Sequence, residues 1–382
     1  MIYLDNSATS FPKPETVGQA MLNFINNIGA NPGRSGHVLS IEAAKVVYYA
    51  REEIAELFGV SDPLRVVFSS NATESINMVI KGMCKPGDHV LVSPMEHNAV
   101  MRCLENCRSH DVSFSVLPSN DEGMVLVDKM AEAILPNTVL IIVNHVSNVS
   151  GLIQPIREIG KTAKELNIPF LIDAAQSAGV FDINMETDNI DLVAFTGHKA
   201  LYGPQGTGGL VIADEFSHDR IAPLKYGGTG SKSECEVQPS FLPDKFESGT
   251  QNAVGIAGLL EGVKYIKKIG LDNIRAKEKE LAKRLYEGLS SIPGIKIYSK
   301  NNENYASTIP FTIDSITTSE ISDILNEKYG VLCRAGLHCS PGAHSKIGTY
   351  PDGTARLSPG WFTTQEEIDK TIEAIKEMVN GS

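Results

Sequence analysis

The chain has 382 residues, of which 42% are hydrophobic and 21% are charged, and its formal net charge is −12. This composition is typical of a folded globular protein and excludes a disordered, collagen-like or membrane-spanning class. The negative charge argues against a general nucleic-acid or anionic-membrane surface. We therefore expect no nucleic-acid partner and no membrane partner.

At the start of the chain, Met1 to Asp5 lacks the basic region and the long apolar stretch of a signal peptide. No apolar run along the sequence approaches the roughly 20 residues that a helix needs to cross a bilayer. We therefore expect a cytoplasmic protein.

From about residue 15 to residue 250, short apolar runs alternate with segments such as 42–58 and 156–166, whose apolar residues recur at helical spacing. Such alternation is typical of a mainly parallel sheet covered by helices. The predicted strands are 65–68, 89–92, 113–117, 139–143, 170–172, 192–195 and 209–212. We predict an α/β fold with a mainly parallel seven-stranded sheet, in a large domain spanning residues 15–252.

After Gly249 the pattern changes to long helical segments at 253–269 and 271–289. Short strands are predicted next at 295–298 and 307–313, then a helix at 319–329 and a last amphipathic helix after Thr364. We predict a smaller α+β domain spanning residues 253–382.

The cysteines are too few and too irregularly spaced for a disulfide scaffold. They are Cys84, Cys103, Cys107, Cys235, Cys333 and Cys339. Cys103 and Cys107 lie four residues apart on a predicted helix, which could form half of a metal site. No second pair of Cys or His follows nearby, so we predict ordinary thiols and no metal.

Asp173 and Lys199 form the most informative pair in the sequence. Asp173 ends the apolar run 167–173, as expected of a buried parallel strand whose polar residue lies at the ligand-binding edge; a helix N-cap is the alternative. Lys199 alone would be a solvated surface lysine, but it stands between the apolar segment 190–195 and the glycine-rich loop 203–209. That setting favours a neutral, nucleophilic amine. A lysine that holds an aldehyde cofactor needs an acid to protonate the pyridine nitrogen, so the pair suggests pyridoxal phosphate.

An anion site is predicted where the strand that ends near Phe68 is followed by a small polar turn and then by the apolar-periodic residues 76–80. The backbone N–H groups and the dipole of the helix N-terminus favour a phosphate there. The alternative is that Ser70 or Asn71 only caps the helix.

Several short motifs occur in the order in which they occur in cysteine desulfurases. They are 3–8, 71–74, 96–98, 144–151, 173–176, 196–199, 246–250 and 334–339. Over essentially its whole length the chain resembles the class V aminotransferase group of fold-type I pyridoxal-phosphate enzymes, and within it the group II desulfurases and selenocysteine lyases. The resemblance implies a large cofactor-binding domain, a small C-terminal domain, and an N-terminal segment 1–14 that packs near the active site.

The resemblance also implies a role for each cofactor-binding residue. Lys199 would hold the cofactor aldehyde as a Schiff base, Asp173 would pair with the pyridine nitrogen, and Gln176 would bind the phenolic oxygen. His97 would stack on the ring, and Asn148 would lie near the phenolic oxygen and the substrate carboxylate. The residues implied to hold the phosphate are Thr73, Thr196 and His198. Thr250 would reach the phosphate of a neighbouring subunit, which implies a homodimer.

Arg356 is the candidate for the substrate carboxylate, because a guanidinium offers a permanently charged, bidentate fork. The alternative is a surface arginine on a short strand. Arg334 is open to three interpretations: it orients the cysteine loop, binds substrate, or forms a structural ion pair.

Cys339 distinguishes a desulfurase from an ordinary aminotransferase. It lies in the loop 335–344 of small and turn-forming residues, and we expect the adjacent His338 to favour its thiolate. The implied reaction converts L-cysteine to L-alanine, with Lys199 removing the Cα proton and Cys339 taking the sulfur as a persulfide for an acceptor protein or thiol. That sulfur would feed iron–sulfur cluster assembly or another thio-transfer pathway. The alternatives are a selenocysteine lyase acting on L-selenocysteine, a C–S lyase or transaminase that does not use Cys339, and a non-catalytic scaffold.

Overall fold

The computed structural model describes residues 1–33, 35–232 and 234–381. The first part of the chain builds one large sheet and the helices that cover it. Its elements are β1 (Ile2–Tyr3), α1 (Glu15–Asn23), α2 (Val38–Phe58), β2 (Val66–Ser69), α3 (Ala72–Met83), β3 (His89–Val92), α4 (Asn98–Arg108), β4 (Ser113–Val116), β5 (Thr138–Asn144), α5 (Ile156–Glu165), β6 (Phe170–Asp173), β7 (Leu192–Thr196) and β8 (Gly208–Ile212).

The large sheet has seven strands in the order β2-β8-β7-β6-β5-β3-β4. β8 is antiparallel to both of its neighbours, and the other pairs are parallel. The prediction of an α/β fold with a mainly parallel seven-stranded sheet is confirmed, and the predicted strands differ from the observed ones only at their ends.

Both faces of this sheet are buried, which explains why its strands are continuous apolar runs. Along β6, Phe170 and Ile172 face one hydrophobic cluster and Leu171 faces the other. The first cluster contains buried residues of α2, α5 and α6, and the second contains those of α3 and α4. Helices on both faces leave the strand ends as the place where polar side chains can collect.

The second part of the chain contains the following elements. They are α6 (Ala253–Ile269), α7 (Leu271–Ser290), β9 (Ile295–Ile297), β10 (Ile309–Ile313), α8 (Thr318–Tyr329), β11 (Val331–Leu332), β12 (Arg334–Gly336), α9 (Pro341–Ile347), β13 (Thr354–Leu357) and α10 (Gln365–Asn380). A four-stranded antiparallel sheet has the order β12-β13-β10-β9. Its core is shared with α7, α8 and α10.

The N-terminal strand and helix α6 each connect the two parts of the molecule. The N-terminal strand β1 pairs in parallel with β11, and Ile2 and Leu4 belong to the core of the four-stranded sheet. Helix α6 instead contributes Ile256 and Val263 to a core of the seven-stranded sheet. The division of the chain at 252/253 stays a prediction. No helix in the described part of the chain has the length and apolar character needed to cross a membrane.

Candidate active site

The carboxyl ends of three adjacent parallel strands place polar side chains at one edge of the large sheet. Asn144 ends β5, Asp173 ends β6 in register with it, and Thr196 ends β7. A cleft with a volume of about 220 Å³ opens at this edge. The predicted site residues that line it are Thr73, His97, Asn148, Asp173, Gln176, Thr196, His198, Lys199, Arg334 and Arg356.

Lys199 lies in the turn that follows β7. A Cβ atom on Gly197 would be 2.2 Å from the Oγ1 atom of Thr207, so this turn requires glycine for its close approach to the segment that contains Thr207. Burial lowers the pKa of Lys199 to about 8, against the opposing effect of the Asp173 carboxylate. A useful fraction of the amine is therefore neutral near physiological pH, as the sequence predicted.

The N-terminal segment holds the backbone of this turn. Ser10 Oγ donates to the carbonyl oxygen of Lys199 at 2.7 Å. The carbonyl oxygen of His198 accepts from Thr9 Oγ1 at 2.9 Å and from Lys13 Nζ at 2.6 Å. Sequence reasoning placed the segment 1–14 near the site but missed these residues, whose only local signal is a polar run beside prolines.

Asp173 is a buried carboxylate at the end of β6, with 4% of its surface exposed. Its Oδ1 atom accepts a hydrogen bond from the backbone N–H of Ala175 at 2.9 Å, and turns, not an α-helix, follow it. The N-cap alternative is therefore wrong. Burial raises the pKa of Asp173, while the Ala175 N–H and the Lys199 ammonium oppose that rise. A cation on the open side of the cleft would stabilise the ionised carboxylate further.

The helix N-terminus predicted to bind an anion is that of α3. Asn71 caps this helix by accepting from the backbone N–H of Glu74 at 2.9 Å, and the exposed Thr73 follows it at the cleft. Thr196 Oγ1 and His198 Nδ1 are buried atoms that lack a hydrogen-bond partner in the described structure. Buried polar groups are rarely left unsatisfied, so these two atoms suit a ligand with several acceptor oxygens, such as a phosphate.

His97 both caps a helix and lines the cleft, so its two interpretations are compatible. Its Nδ1 atom accepts from the backbone N–H of Ala99 at 3.0 Å at the start of α4. Burial, with a smaller contribution from Lys199, lowers the pKa of His97 to about 4. The ring is therefore neutral and held in one orientation at the cleft.

Arg356 lies on β13 and is 1% exposed, which rules out the surface-arginine alternative. Its Nη2 atom is 2.7 Å from Asp5 Oδ1, and its Nη1 atom donates to the carbonyl oxygen of Asn148 at 2.8 Å. Its Nε atom is buried without a partner in the described structure. Sequence reasoning missed Asp5, because the two members of the pair are 351 residues apart.

The Cys339 loop follows β12, which places Arg334 directly opposite Arg356 in the antiparallel pair. Cys339 is exposed, and Arg334 Nη2 is 3.8 Å from its sulfur atom. Asn148 holds both sides of the cysteine: its Nδ2 atom donates to the carbonyl oxygen of His338 at 2.6 Å, and its Oδ1 atom accepts from Ser340 Oγ at 2.9 Å. The thiol therefore lies on a fixed loop beside the cleft, next to a cation.

The expectation that His338 favours the thiolate is wrong. The ring is 3% exposed, and burial, followed by the charge of Arg356, lowers the pKa of His338 to about 2. His338 is therefore neutral at physiological pH and supplies no positive charge to the sulfur. Arg334 is the cation in that position, and it also lines the cleft, so a role at the cysteine loop and a role in substrate binding both stay predictions.

The model of the class-V aminotransferase family matches residues 2–371, nearly the whole chain. The chain belongs to the class-V aminotransferase family. The family and the fold that the resemblance implied are thus confirmed.

Relatives and solved structures of this family match the chain from end to end. A probable cysteine desulfurase from Methanothermobacter thermautotrophicus is 32% identical over 381 residues, covering 99% of this chain and 94% of the relative. A cysteine desulfurase from Haloferax volcanii is 33% identical over 383 residues, covering 98% and 88%. The apo structure of a cysteine desulfurase from Thermococcus onnurineus NA1 has a TM-score of 0.93 at 32% identity, covering 100% of this chain and 95% of the other.

Two predicted features of this class-V chain lie away from the cleft. Thr250 lines a separate groove, where Asn31 Nδ2 donates to its Oγ1 atom at 3.4 Å. It is the one predicted cofactor-binding residue that the single chain does not bring to the cleft. Cys103 and Cys107 are both buried on α4, and burial raises the pKa of Cys103 to about 12.

Proposed function

We propose that this chain is a pyridoxal-phosphate-dependent cysteine desulfurase, which converts L-cysteine to L-alanine and retains the sulfur as a persulfide on Cys339. The observation that carries the proposal is the exposed thiol of Cys339, 3.8 Å from an arginine that lines the same cleft as Lys199. The names of the relatives support the same activity.

The residues of the cleft fit the proposed cofactor. Asp173 is a buried acid that a pyridinium nitrogen would complement, and Thr196 and His198 have buried polar atoms free for a phosphate. Lys199 has the lowered pKa of a lysine that reacts with aldehydes. When bound, pyridoxal phosphate supplies an aldehyde for the substrate amino group and an electron sink for the Cα carbanion.

Lys199 is the base in the proposed reaction. Its Nζ atom takes the proton from the substrate Cα, and its pKa of about 8 lets it accept that proton near neutrality and later return one. The hydrogen bonds from Ser10 to the Lys199 carbonyl oxygen and from Lys13 to the His198 carbonyl oxygen fix the backbone from which this side chain extends. The base is therefore positioned by the fold and not by the substrate.

Two arginines face the proposed substrate. Arg356 and Arg334 lie opposite each other on β13 and β12, and both line the cleft. The unpartnered Nε atom of Arg356 is a donor that a substrate carboxylate would satisfy. Asn148 joins these groups, because its carbonyl oxygen binds Arg356 and its side chain binds the cysteine loop.

Cys339 is the nucleophile for the sulfur. Its thiolate attacks the substrate sulfur, so that a bond forms between the two sulfur atoms and the substrate Cβ–S bond breaks. The electron pair of the broken bond stays with the carbon skeleton, which takes protons to become alanine. Arg334 Nη2, 3.8 Å from the Cys339 sulfur, is placed to orient that sulfur for the attack. An acceptor protein or thiol then collects the sulfur, for iron–sulfur cluster assembly or another thio-transfer pathway, in the cytoplasm.

The functional unit is proposed to be a homodimer. Apolar side chains are exposed along α2, with Val38 68% exposed and Tyr49 49% exposed, as expected of a surface that another chain covers. Asn31 links the start of this helix to Thr250, since Ser40 Oγ donates to its carbonyl oxygen. A second copy that covers α2 would meet Thr250 at the same edge.

The first test is alanine formation from L-cysteine, with a reductant, by the cofactor-loaded protein and by Cys339→Ala. We expect the wild type to release equimolar alanine and sulfide, and the variant to bind cofactor but lose activity. Cys235→Ala is the matched control, because Cys235 is also an exposed free cysteine. Full activity of Cys339→Ala would replace the proposal by a C–S lyase or a transaminase. Faster turnover of L-selenocysteine would favour a selenocysteine lyase.

A further inference from the structure

Lys199 borders a second cavity besides the cleft. This rear cavity has a volume of about 40 Å³, and Ser7, Gln176 and Lys199 line both it and the cleft. Glu278 of α7 and Ser307 line it as well. The same Glu278 and Ser307 also line a groove of about 30 Å³, so the two spaces meet at this carboxyl group.

The rear cavity is polar enough and large enough to hold water. The hydroxyl of Tyr202 is buried and lacks a hydrogen-bond partner among the described residues, although Tyr202 lines this cavity. Ser7 Oγ and Thr308 Oγ1, 3.1 Å apart, belong to its wall. A water molecule needs about 10–15 Å³ of such space and two to four polar partners, and both conditions are met. Lys199 and Glu278 both line this cavity, so water in it would lie between the two residues.

Glu278 is a buried carboxyl group that none of the reaction steps above uses. It is 9% exposed, Ser307 Oγ donates to its Oε2 atom at 3.2 Å, and no Lys or Arg of the described chain lies within salt-bridge distance of it. Burial raises the pKa of Glu278 to about 7, against the opposing effects of Ser307, the Trp361 backbone and Lys277. The charged residues around the groove are Arg275, Lys279, Lys283, Lys300 and Glu303.

We propose that Glu278 exchanges protons with Lys199 through water in the rear cavity. Glu278 in turn exchanges protons with solvent through the groove. After Lys199 has taken the Cα proton, its ammonium group gives a proton to a water molecule, and that water passes one to the Glu278 carboxylate. Glu278 then exchanges its proton with solvent, and the reverse path returns a solvent proton to Lys199, which delivers it to the product. Only protons move, so no oxidant or reductant is needed. Glu278 acts through Lys199 and contacts neither substrate nor cofactor, and the inference rests on the proposed desulfurase function.

The test follows deuterium from L-cysteine labelled at Cα into the alanine formed in ordinary water. If Glu278 takes protons from Lys199, the alanine formed by the wild type should retain little deuterium at about pH 8, where the Glu278 carboxylate accepts protons. It should retain more deuterium at about pH 6, where the carboxyl group is already protonated. Glu278→Gln should keep several times more label at about pH 8 and lose the dependence on pH. Glu287→Gln, at an exposed position of the same helix, should behave as the wild type.

Two further measurements separate this role from a structural one. Glu278→Asp retains a carboxyl group, so the deuterium retained in alanine should still depend on pH, with the midpoint of that dependence displaced. This variant also tests the inference if Glu278→Gln does not fold. In the cofactor-free protein, a raised folded-state pKa means that stability is lost as the pH rises from about 4.5 to 7. Glu278→Gln should remove that part of the pH dependence of the unfolding temperature.

The failures are distinguishable. If the wild type forms alanine but Glu278→Gln keeps the same label as the wild type at both pH values, the inference is overturned while the proposed function stands. An unchanged midpoint in Glu278→Asp, or an unchanged pH dependence of unfolding in Glu278→Gln, also counts against it. If the wild type forms no alanine from cysteine, both proposals are overturned.

Discussion

The two reactive side chains of the proposed site follow strands of two different sheets and differ in exposure, since Lys199 is partly buried and Cys339 is exposed. Lys199 follows β7 of a sheet that is buried on both faces, whereas Cys339 follows β12 of the smaller sheet and is exposed. A base needs desolvation to be neutral near physiological pH, and a sulfur carrier needs access to an acceptor. The difference teaches that a single site can combine both conditions when it lies where two sheets meet.

Several long-range polar interactions join these two regions at the site. Asn148 holds the loop of Cys339 on both sides, and its carbonyl oxygen binds Arg356. Arg356 in turn pairs with Asp5 of the N-terminal segment. The same segment holds the backbone of Lys199 through Ser10. The relative position of Lys199 and Cys339 therefore depends on these interactions as well as on the hydrophobic cores.

The largest expected effect comes from removing the proposed base. Lys199→Ala should lower the rate of alanine formation by about 10⁴-fold, the upper end for the loss of a general base, and should abolish covalent attachment of the cofactor. Steady-state kinetics and the visible absorption of the reconstituted protein measure the two effects. Lys264→Ala, at an exposed lysine of α6, is the control. Near-normal activity of Lys199→Ala would contradict the assignment of the base.

The next largest effect should come from breaking the ion pair that joins the regions. Asp5→Asn leaves the buried Arg356 without its carboxylate, and we expect a loss of about 2–3 kcal/mol in the free energy of unfolding. The value is below that of a fully buried pair because the Asp5 side chain is 20% exposed. Urea denaturation measures it. Asp369→Asn, which breaks the exposed pair with Arg284, should cost less than about 1 kcal/mol. Equal losses in the two variants would contradict the role of the Asp5–Arg356 pair in joining the two regions.

A smaller effect is expected from a change that loosens the loop of Cys339 and leaves Lys199 in place. Asn148→Ala removes two hydrogen bonds from the loop of Cys339, each worth about 1 kcal/mol, so alanine formation should fall by up to about 30-fold. Proteolysis or amide exchange in residues 335–345 should rise at the same time. Asn273→Ala, at an exposed asparagine of α7, should change neither. An unaltered loop with lowered activity would instead assign Asn148 to substrate or cofactor binding.

The smallest expected effect is the contribution of Lys199 to the pH dependence of the free energy of unfolding. The pKa of Lys199 is lowered from 10.5 to about 8, so the unfolded state binds the proton more tightly and stability is lost as the pH falls from about 10.5 to 8. Lys199→Met in the cofactor-free protein should therefore be more stable than the wild type at about pH 7, by about 1 kcal/mol, because the side chain is only partly buried. The difference should shrink toward about pH 11. Thermal or urea unfolding across this pH range checks it, and a difference independent of pH would sink the interpretation.

Local patterns in the sequence predicted the large sheet well. Each predicted strand is a short apolar run between turn-forming residues. Such runs are typical of parallel strands that are buried on both faces. Asp173 and Lys199 were recognisable for the same reason, since polar residues that directly follow such strands lie at the ligand-binding edge. The helix caps at Asn71 and Thr364 also follow from neighbouring residues.

By itself, the sequence determined the strands and the helices and singled out Asp173 and Lys199 as candidates, because these depend on residues that are close together in the chain. Only the tertiary structure decided that Arg334, and not His338, is the cation beside Cys339, since the charge of His338 depends on burial by distant segments. It also decided the partner of Arg356, because burial of a charge is a property of the packed molecule and not of any local pattern.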